Sequence, residues 1–260
     1  MIRSVLAMLA VVSAAGMAPA AVVTKTVDYE FDGVKLKGFL AYDDSLKGKR
    51  PGVLVIHEWW GLDDYAKNRA KQLAELGYVA LAADMYGDGQ TTEHPDDARK
   101  MATTVRQNIA IWRGRAAAAL QQLQSQPNVD PDKLAAIGYC FGGSTCIQLA
   151  ATGANLKAIV TFHAALPKLT EAEAKAIKGR LLILHGADDF FIKPEDITSF
   201  RATLDAAKTP YEFVAYKDTV HSFTVPHADK HKIKGMAYNK TADEDSWKRM
   251  RQLFQETLGH

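Results

Sequence analysis

Cys140 stands inside Gly138-Tyr139-Cys140-Phe141-Gly142, where an apolar strand-like run, Leu134 to Ile137, meets a helix-like stretch from Gly143 to Thr152. A reactive side chain between glycines at a strand-to-helix junction is a nucleophile elbow, here with cysteine where serine is usual. The turn is sharp and the nucleophile's backbone strained, so side chains at the flanking positions would collide with strand and helix. The same placement sets the sulfur at a helix N-terminus, whose positive end favours thiolate over thiol. The plainer reading of these five residues is a glycine-rich helix entry over a buried cysteine. Partners elsewhere in the chain decide between the two.

A cysteine nucleophile needs a base and a group that orients the base. Gly186-Ala187-Asp188-Asp189-Phe190-Phe191-Ile192 follows the apolar run ending at His185 and offers the acid. His221, just past the run Tyr211 to Tyr216, offers the base. Nucleophile, acid and histidine in that order, each after a strand, is the arrangement of α/β-hydrolase chains. Asp188 and Asp189 are adjacent, and spacing alone does not orient them. His227 and His231 have a helical metal-ligand spacing, but Pro226 and the polar surroundings make this a loop. No metal and no organic cofactor are expected.

The elements that must position these residues alternate between strand and helix. Thr24 to Phe31 and Val34 to Tyr42 flank Asp32-Gly33, a hairpin signal. Val53 to His57, Tyr78 to Ala83, Lys133 to Gly138, Lys157 to Phe162 and Arg180 to His185 read as strands, mostly short apolar runs. Helical patterns cover Asp63 to Leu76, Pro95 to Gln126 with a break near Asn108, Glu171 to Lys178, Pro194 to Ala207 and Asp243 to Leu258. A hairpin followed by strand-helix units predicts an α/β fold, a mostly parallel central sheet with helices on both faces.

The chain opens Met1-Ile2-Arg3, continues apolar from Val5 to Ala15 and reaches Ala18-Pro19-Ala20. That reads as a signal peptide over residues 1–20, cleaved after Ala20, and its apolar run is too short to span a bilayer. Residues 21–260 then form a single domain, exported to the periplasm or secreted, with no stable membrane association. With 32 Lys and Arg against 30 Asp and Glu, there is no electrostatic case for nucleic acid. Cys140 and Cys146 lie six residues apart along one expected helix, a rise of roughly 9 Å. A disulfide tolerates about 7 Å, so neither is expected in one.

The motifs together resemble the dienelactone hydrolase family over nearly the whole mature chain. The matching pieces are His57-Glu58-Trp59-Trp60-Gly61, Asp84-Met85-Tyr86-Gly87, the Gly-Tyr-Cys-Phe-Gly-Gly elbow, Gly186 to Ile192, His221-Ser222-Phe223, and the closing helix with Trp247. The resemblance implies an α/β-hydrolase fold and a Cys140–His221–Asp189 triad, since the family's acid loop favours Asp189, with Asp188 as the alternative. It implies that Glu58 contacts the nucleophile and helps it ionise when substrate arrives. A carboxylate near a thiolate would also hold the idle thiol neutral and slow its oxidation. His57 is expected to pack structurally. The amide of Phe141, just after the nucleophile, is the expected first oxyanion donor, and the amide of Trp59 the second by resemblance. Trp59, Trp60, Tyr86, Phe190, Phe191 and Phe223 are candidate pocket walls.

The expected reaction is hydrolysis of a small-molecule ester or lactone through a thioester acyl-enzyme, by a monomer or homodimer. Two arginines that hold the substrate carboxylate in the family are absent: the first region reads Tyr86-Gly87-Asp88-Gly89, and position 225 is Val. Arg99, Lys193 or Lys217 would have to substitute, so neutral esters are expected to be preferred. Two other readings compete. The same triad suits an acyltransferase or thioesterase, separable by acceptor competition. A non-catalytic exported binding protein on a hydrolase scaffold would retain no turnover.

Overall fold

Strands that are apolar on both faces must be covered on both faces, and this chain does so around one sheet. The computed structural model describes residues 22–259, so the expected signal peptide lies outside the described residues. The strands are β1 (Val22–Phe31), β2 (Val34–Asp43), β3 (Arg50–Ile56), β4 (Val79–Ala83), β5 (Val129–Tyr139), β6 (Ala158–Phe162), β7 (Arg180–Gly186) and β8 (Tyr211–Tyr216). The helices are α1 (Asp64–Glu75), α2 (Pro95–Arg106), α3 (Ile109–Gln124), α4 (Phe141–Ala150), α5 (Glu171–Ala176), α6 (Pro194–Ala207) and α7 (Lys240–Leu258). A short 3₁₀ turn covers Ala228–His231.

The eight strands lie in the order β1-β2-β4-β3-β5-β6-β7-β8. β1 and β2 form the expected hairpin, and β2 joins β4 antiparallel. Every pairing from β4 to β8 is parallel. Helices α1 and α7 cover one face through Ala66, Leu73, Met250 and Phe254. Helices α2 to α6 cover the other, with Ala102, Ala116, Ile147, Ala174 and Phe200 in its core.

Two sequence details set element boundaries. The long helical pattern breaks where expected, because Asn108 caps α3 by accepting from the amides of Ala110 and Ile111 at 3.1 and 3.3 Å. Asp63 caps α1, accepting from Ala66 N–H at 3.1 Å. β5 is longer than its apolar run, starting at Val129 beside Arg50 of β3.

The strand order matters for the site. From β3 the chain crosses to β4 on one side and returns to β5 on the other, so a topological switch point lies between β3 and β5. Ile56 is in register with Gly138, Tyr139 with Phe162, Phe162 with Leu184, and Gly186 with Tyr216. The residues just past those strand ends therefore emerge along one edge. They include Glu58, Cys140, His163, Asp189 and His221.

Candidate active site

The elbow is built by close approach. Cys140 sits at φ 51° and ψ −112°, a left-handed backbone for a residue with a Cβ. Such strain costs on the order of 1–3 kcal/mol and persists only where the surroundings impose it. Here they do. A Cβ on Gly138 would lie 2.2 Å from the Gly142 carbonyl carbon, and one on Gly142 would lie 2.1 Å from the Ile56 carbonyl oxygen. α4 begins at Phe141, so its first amides have no partner within the helix and face the sulfur side. Cys140 is half-buried and free, and Cys146 is fully buried and free, its thiol pushed up by burial.

The acid loop and the histidine loop meet behind the sulfur. His221 Nδ1 lies 2.7 Å from Asp189 Oδ2. The other Asp189 oxygen accepts from Phe191 N–H at 3.0 Å, which fixes the carboxylate. Asp188 is exposed and takes no part. The His221 backbone is pinned at both ends, its N–H to Gly235 O at 3.0 Å and its carbonyl from Ala237 N–H at 3.2 Å. Burial works against a charged imidazole. Negative charge on the Cys140 sulfur, a hydrogen bond to it and the Asp189 carboxylate outweigh that, and hold His221 well above its ordinary value. The His221 ring thus lies between the Asp189 carboxylate and the Cys140 sulfur.

Glu58 sits on the far side of His221. It is almost fully buried, and Ser222 Oγ donates to its Oε1 at 2.9 Å. Burial raises its carboxyl from 4.5 to about 7, against the lowering influence of His221, Ser222 and the Trp60 indole; Asp63 adds to the rise. Asp63 faces Lys230 across a neighbouring cleft of about 640 Å³ that Glu58 also lines. Among the hydrogen bonds of the described residues, Glu58 is tied to Ser222 rather than to Cys140.

His57 does more than pack. Met85 N–H donates to its Nε2 at 3.3 Å, so the ring proton sits on Nδ1 and is donated to the Glu58 carbonyl. That bond fixes the peptide whose other end is the Trp59 amide. Burial holds His57 neutral, lowering it to about 4. Met85 is itself held by the Asp84 loop. Asp84 Oδ1 accepts from the amides of Tyr86 and Gly87, both at 2.9 Å, and Oδ2 from Lys37 and Gly89 at 3.0 and 2.8 Å. The Asp84-to-Gly87 motif is therefore scaffolding for the Glu58–Trp59 loop beside Cys140.

The cavity over Cys140 is about 280 Å³ and is lined by Trp59, Arg99, Arg106, Ala165, Phe191, Ile192, His221, Ile233 and Met236. Four expected wall residues lie elsewhere. Phe223 is fully buried in the core under α1 and α7, where it packs edge-on against His163. Trp60 lines the neighbouring cleft, its ring stacked on His231 at 3.9 Å. Tyr86 packs against Phe141 and donates to the Trp59 carbonyl at 2.9 Å, bracing the loop instead of lining the cavity. Phe190 is exposed and packs on Phe191, whose ring stands edge-on to His221 at 5.2 Å.

The positive charge of the cavity comes from α2. Arg99 and Arg106 lie seven residues apart, two turns along one helix face, and both reach the rim. The Arg106 guanidinium lies over the Phe141 ring, 5.2 Å from its centroid. Neither arginine is bridged to a carboxylate among the described residues. Lys217 is exposed beside Asp218, and Lys193 is not on the cavity wall. Positive charge missing from two loops is thus present at the cavity rim on one helix. Arg106 escaped the sequence reading because nothing local marks it, although its spacing from Arg99 was visible.

Comparison with known proteins agrees with this geometry. The family model described as the dienelactone hydrolase family matches residues 36–258. "Protein usf" of Aquifex pyrophilus is 31% identical over 242 residues, covering 89% of this chain and 98% of that protein. A "Putative carboxymethylenebutenolidase" of Aquifex aeolicus is 29% identical over 202 residues, covering 76% of this chain and 85% of the relative. Among solved structures, a dienelactone hydrolase-like promiscuous phosphotriesterase from metagenomic libraries superposes with a TM-score of 0.89 at 42% identity, covering 91% of this chain and 99% of the other.

Proposed function

This chain belongs to the dienelactone hydrolase family, and from that premise we propose that it cleaves small carboxylic esters or lactones through a thioester on Cys140. The observation that carries the reading is the line Cys140–His221–Asp189 at the mouth of a small cavity, with the cysteine backbone strained into the elbow conformation. His221 Nε2 takes the thiol proton while Asp189 holds Nδ1. The sulfur attacks the carbonyl carbon, and the oxyanion forms against the Phe141 and Trp59 amides. Collapse breaks the carbon–oxygen bond, and His221 returns its proton to the leaving alkoxide. A water then gives a proton to His221 and attacks the thioester; the carbon–sulfur bond breaks and the acid is released.

Ionised Glu58 beside His221 favours the imidazolium and so supports the pair that attacks. Arg99 and Arg106 offer a subsite for a carboxylate on the substrate, with Trp59, Phe191 and Ile233 as the apolar wall. The apolar N-terminal run with Ala18-Pro19-Ala20 supports reading residues 1–20 as an export signal and the site of action as periplasmic or extracellular, which N-terminal sequencing of the mature protein tests. The activity test is turnover of small chromogenic esters and lactones by wild type and Cys140→Ala. Activity lost in the variant supports the reading, and equal turnover sinks it. Phosphotriester hydrolysis at the same sulfur is the second reading, favoured by the likeness to the metagenomic phosphotriesterase. A diethyl aryl phosphate in the same panel tests it.

A further inference from the structure

One buried histidine beside the site has no part in this mechanism. His163 follows β6, fully buried, with its backbone at φ 42° and its N–H donated to Leu184 O at 2.8 Å. Its ring stands edge-on to that of His221, centroids 5.2 Å apart. Its Nδ1 makes no hydrogen bond, yet lies 3.7 Å from Glu58 Oε1, the same oxygen that accepts from Ser222. An unsatisfied buried nitrogen aimed at a buried carboxylate calls for a reason.

The proton on that ring can be located. Arginine only donates, and Arg69 Nε donates to Tyr65 Oη at 3.1 Å. Tyr65 donates to Thr224 Oγ1 at 2.7 Å. The single hydroxyl hydrogen of Thr224 is then left for His163 Nε2, 2.8 Å away. With Nε2 accepting, the proton of the neutral ring sits on Nδ1 and points at Glu58. Burial keeps the ring neutral, well below its ordinary value, and the positive charges of His221, Arg69 and His185 push the same way.

We propose that His163 is a positioning residue for Glu58: its Nδ1–H, poised 3.7 Å from Oε1, closes to a hydrogen bond when the carboxylate ionises, holds it on the Ser222 side of the site and so helps set the pH of that ionisation. The groups facing Glu58 are His221 and Ser222 from the loop after β8, Asp63 from the turn before α1, Trp60 from its own loop, and His163 from the end of β6. Glu58 is almost fully buried, so each donor to its carboxylate weighs on the charged form. The chain Arg69–Tyr65–Thr224–His163 makes the donor permanent by denying the ring its other tautomer. The inference rests on reading Glu58 as part of the catalytic machinery, but its test needs no substrate.

The test is a pH titration of the Glu58 side-chain carboxyl by carbon-detected NMR, assigned with Glu58→Gln. His163→Phe keeps a ring against Phe223 and removes the donor. The Glu58 midpoint, near pH 7 in wild type, should rise by about one pH unit, the scale of one charge-assisted hydrogen bond. His163→Gln, which can accept from Thr224 and donate to Glu58, should bring it back. His163→Leu, which also removes the donor and stays apolar, should raise it as well, and carries the test if His163→Phe does not fold. A midpoint unmoved in a natively folded His163→Phe or His163→Leu protein would overturn the proposal. Loss of ester turnover with the midpoint shift intact would count against the hydrolase reading alone.

Discussion

The two sides of Glu58 hold the same side chain in opposite states. On one side the sulfur and carboxylate that His221 touches favour its charged form. On the other, His163 is equally buried, with a hydroxyl on Nε2 and positive charges nearby, and stays neutral even with Glu58 at 3.7 Å. Their rings are 5.2 Å apart. Burial is common to both, so the bonded partners decide. In the proposed roles, Asp189 suits His221 to acid-base work, whereas Thr224 suits His163 to donate from Nδ1.

The strongest way to break the contrast is to remove the negative partner. Asp189→Asn should lower kcat/KM for a chromogenic ester by about 10³–10⁴-fold, because His221 loses both its orientation and the charge that supports its imidazolium. A loss under tenfold would mean that Asp189 is not the orienting acid.

Glu58 itself is the next handle. Its carboxyl is raised by burial from 4.5 to about 7, so the folded state carries a cost once the group is ionised. The cost is absent below about pH 4.5 and complete above about pH 7. Glu58→Gln should therefore stabilise the protein by roughly 2–3 kcal/mol at pH 8 and by almost nothing at pH 4.5, read from denaturant midpoints. Equal effects at the two pH values would show that the carboxylate is not titrating there.

The smallest expected effect sharpens the contrast from the substrate side. Arg106→Met should cost about tenfold in kcat/KM for an ester bearing a carboxylate and less than about twofold for its neutral analogue. Equal losses on both would place Arg106 in packing over Phe141 rather than in substrate recognition.

These partners were unevenly legible. The elbow, the acid and the histidine could be read because each follows a strand, and strand ends must line one edge of a parallel sheet. The break at Asn108 was legible because an unpaired helix start needs a capping acceptor. Asp189 was separable from Asp188 only by resemblance; the bond to His221 Nδ1 is tertiary. Phe223, two residues past His221, was a candidate cavity wall. The left-handed backbone at Ser222, φ 56°, turns the chain and sends Phe223 into the core. His57 was expected only to pack and nothing in the sequence marked His163; their tautomers depend on partners from distant segments, Met85 and Thr224. No local pattern carries that information.

The central claim is that Cys140 forms the acyl-enzyme. Wild type, mixed with a small chromogenic ester and quenched in acid within the first turnovers, should show by intact mass a fraction heavier by one acyl group, mapped by peptide analysis to Cys140. Cys140→Ala should show neither the adduct nor the turnover. Turnover without an adduct on Cys140, or an adduct on another residue, would contradict the account.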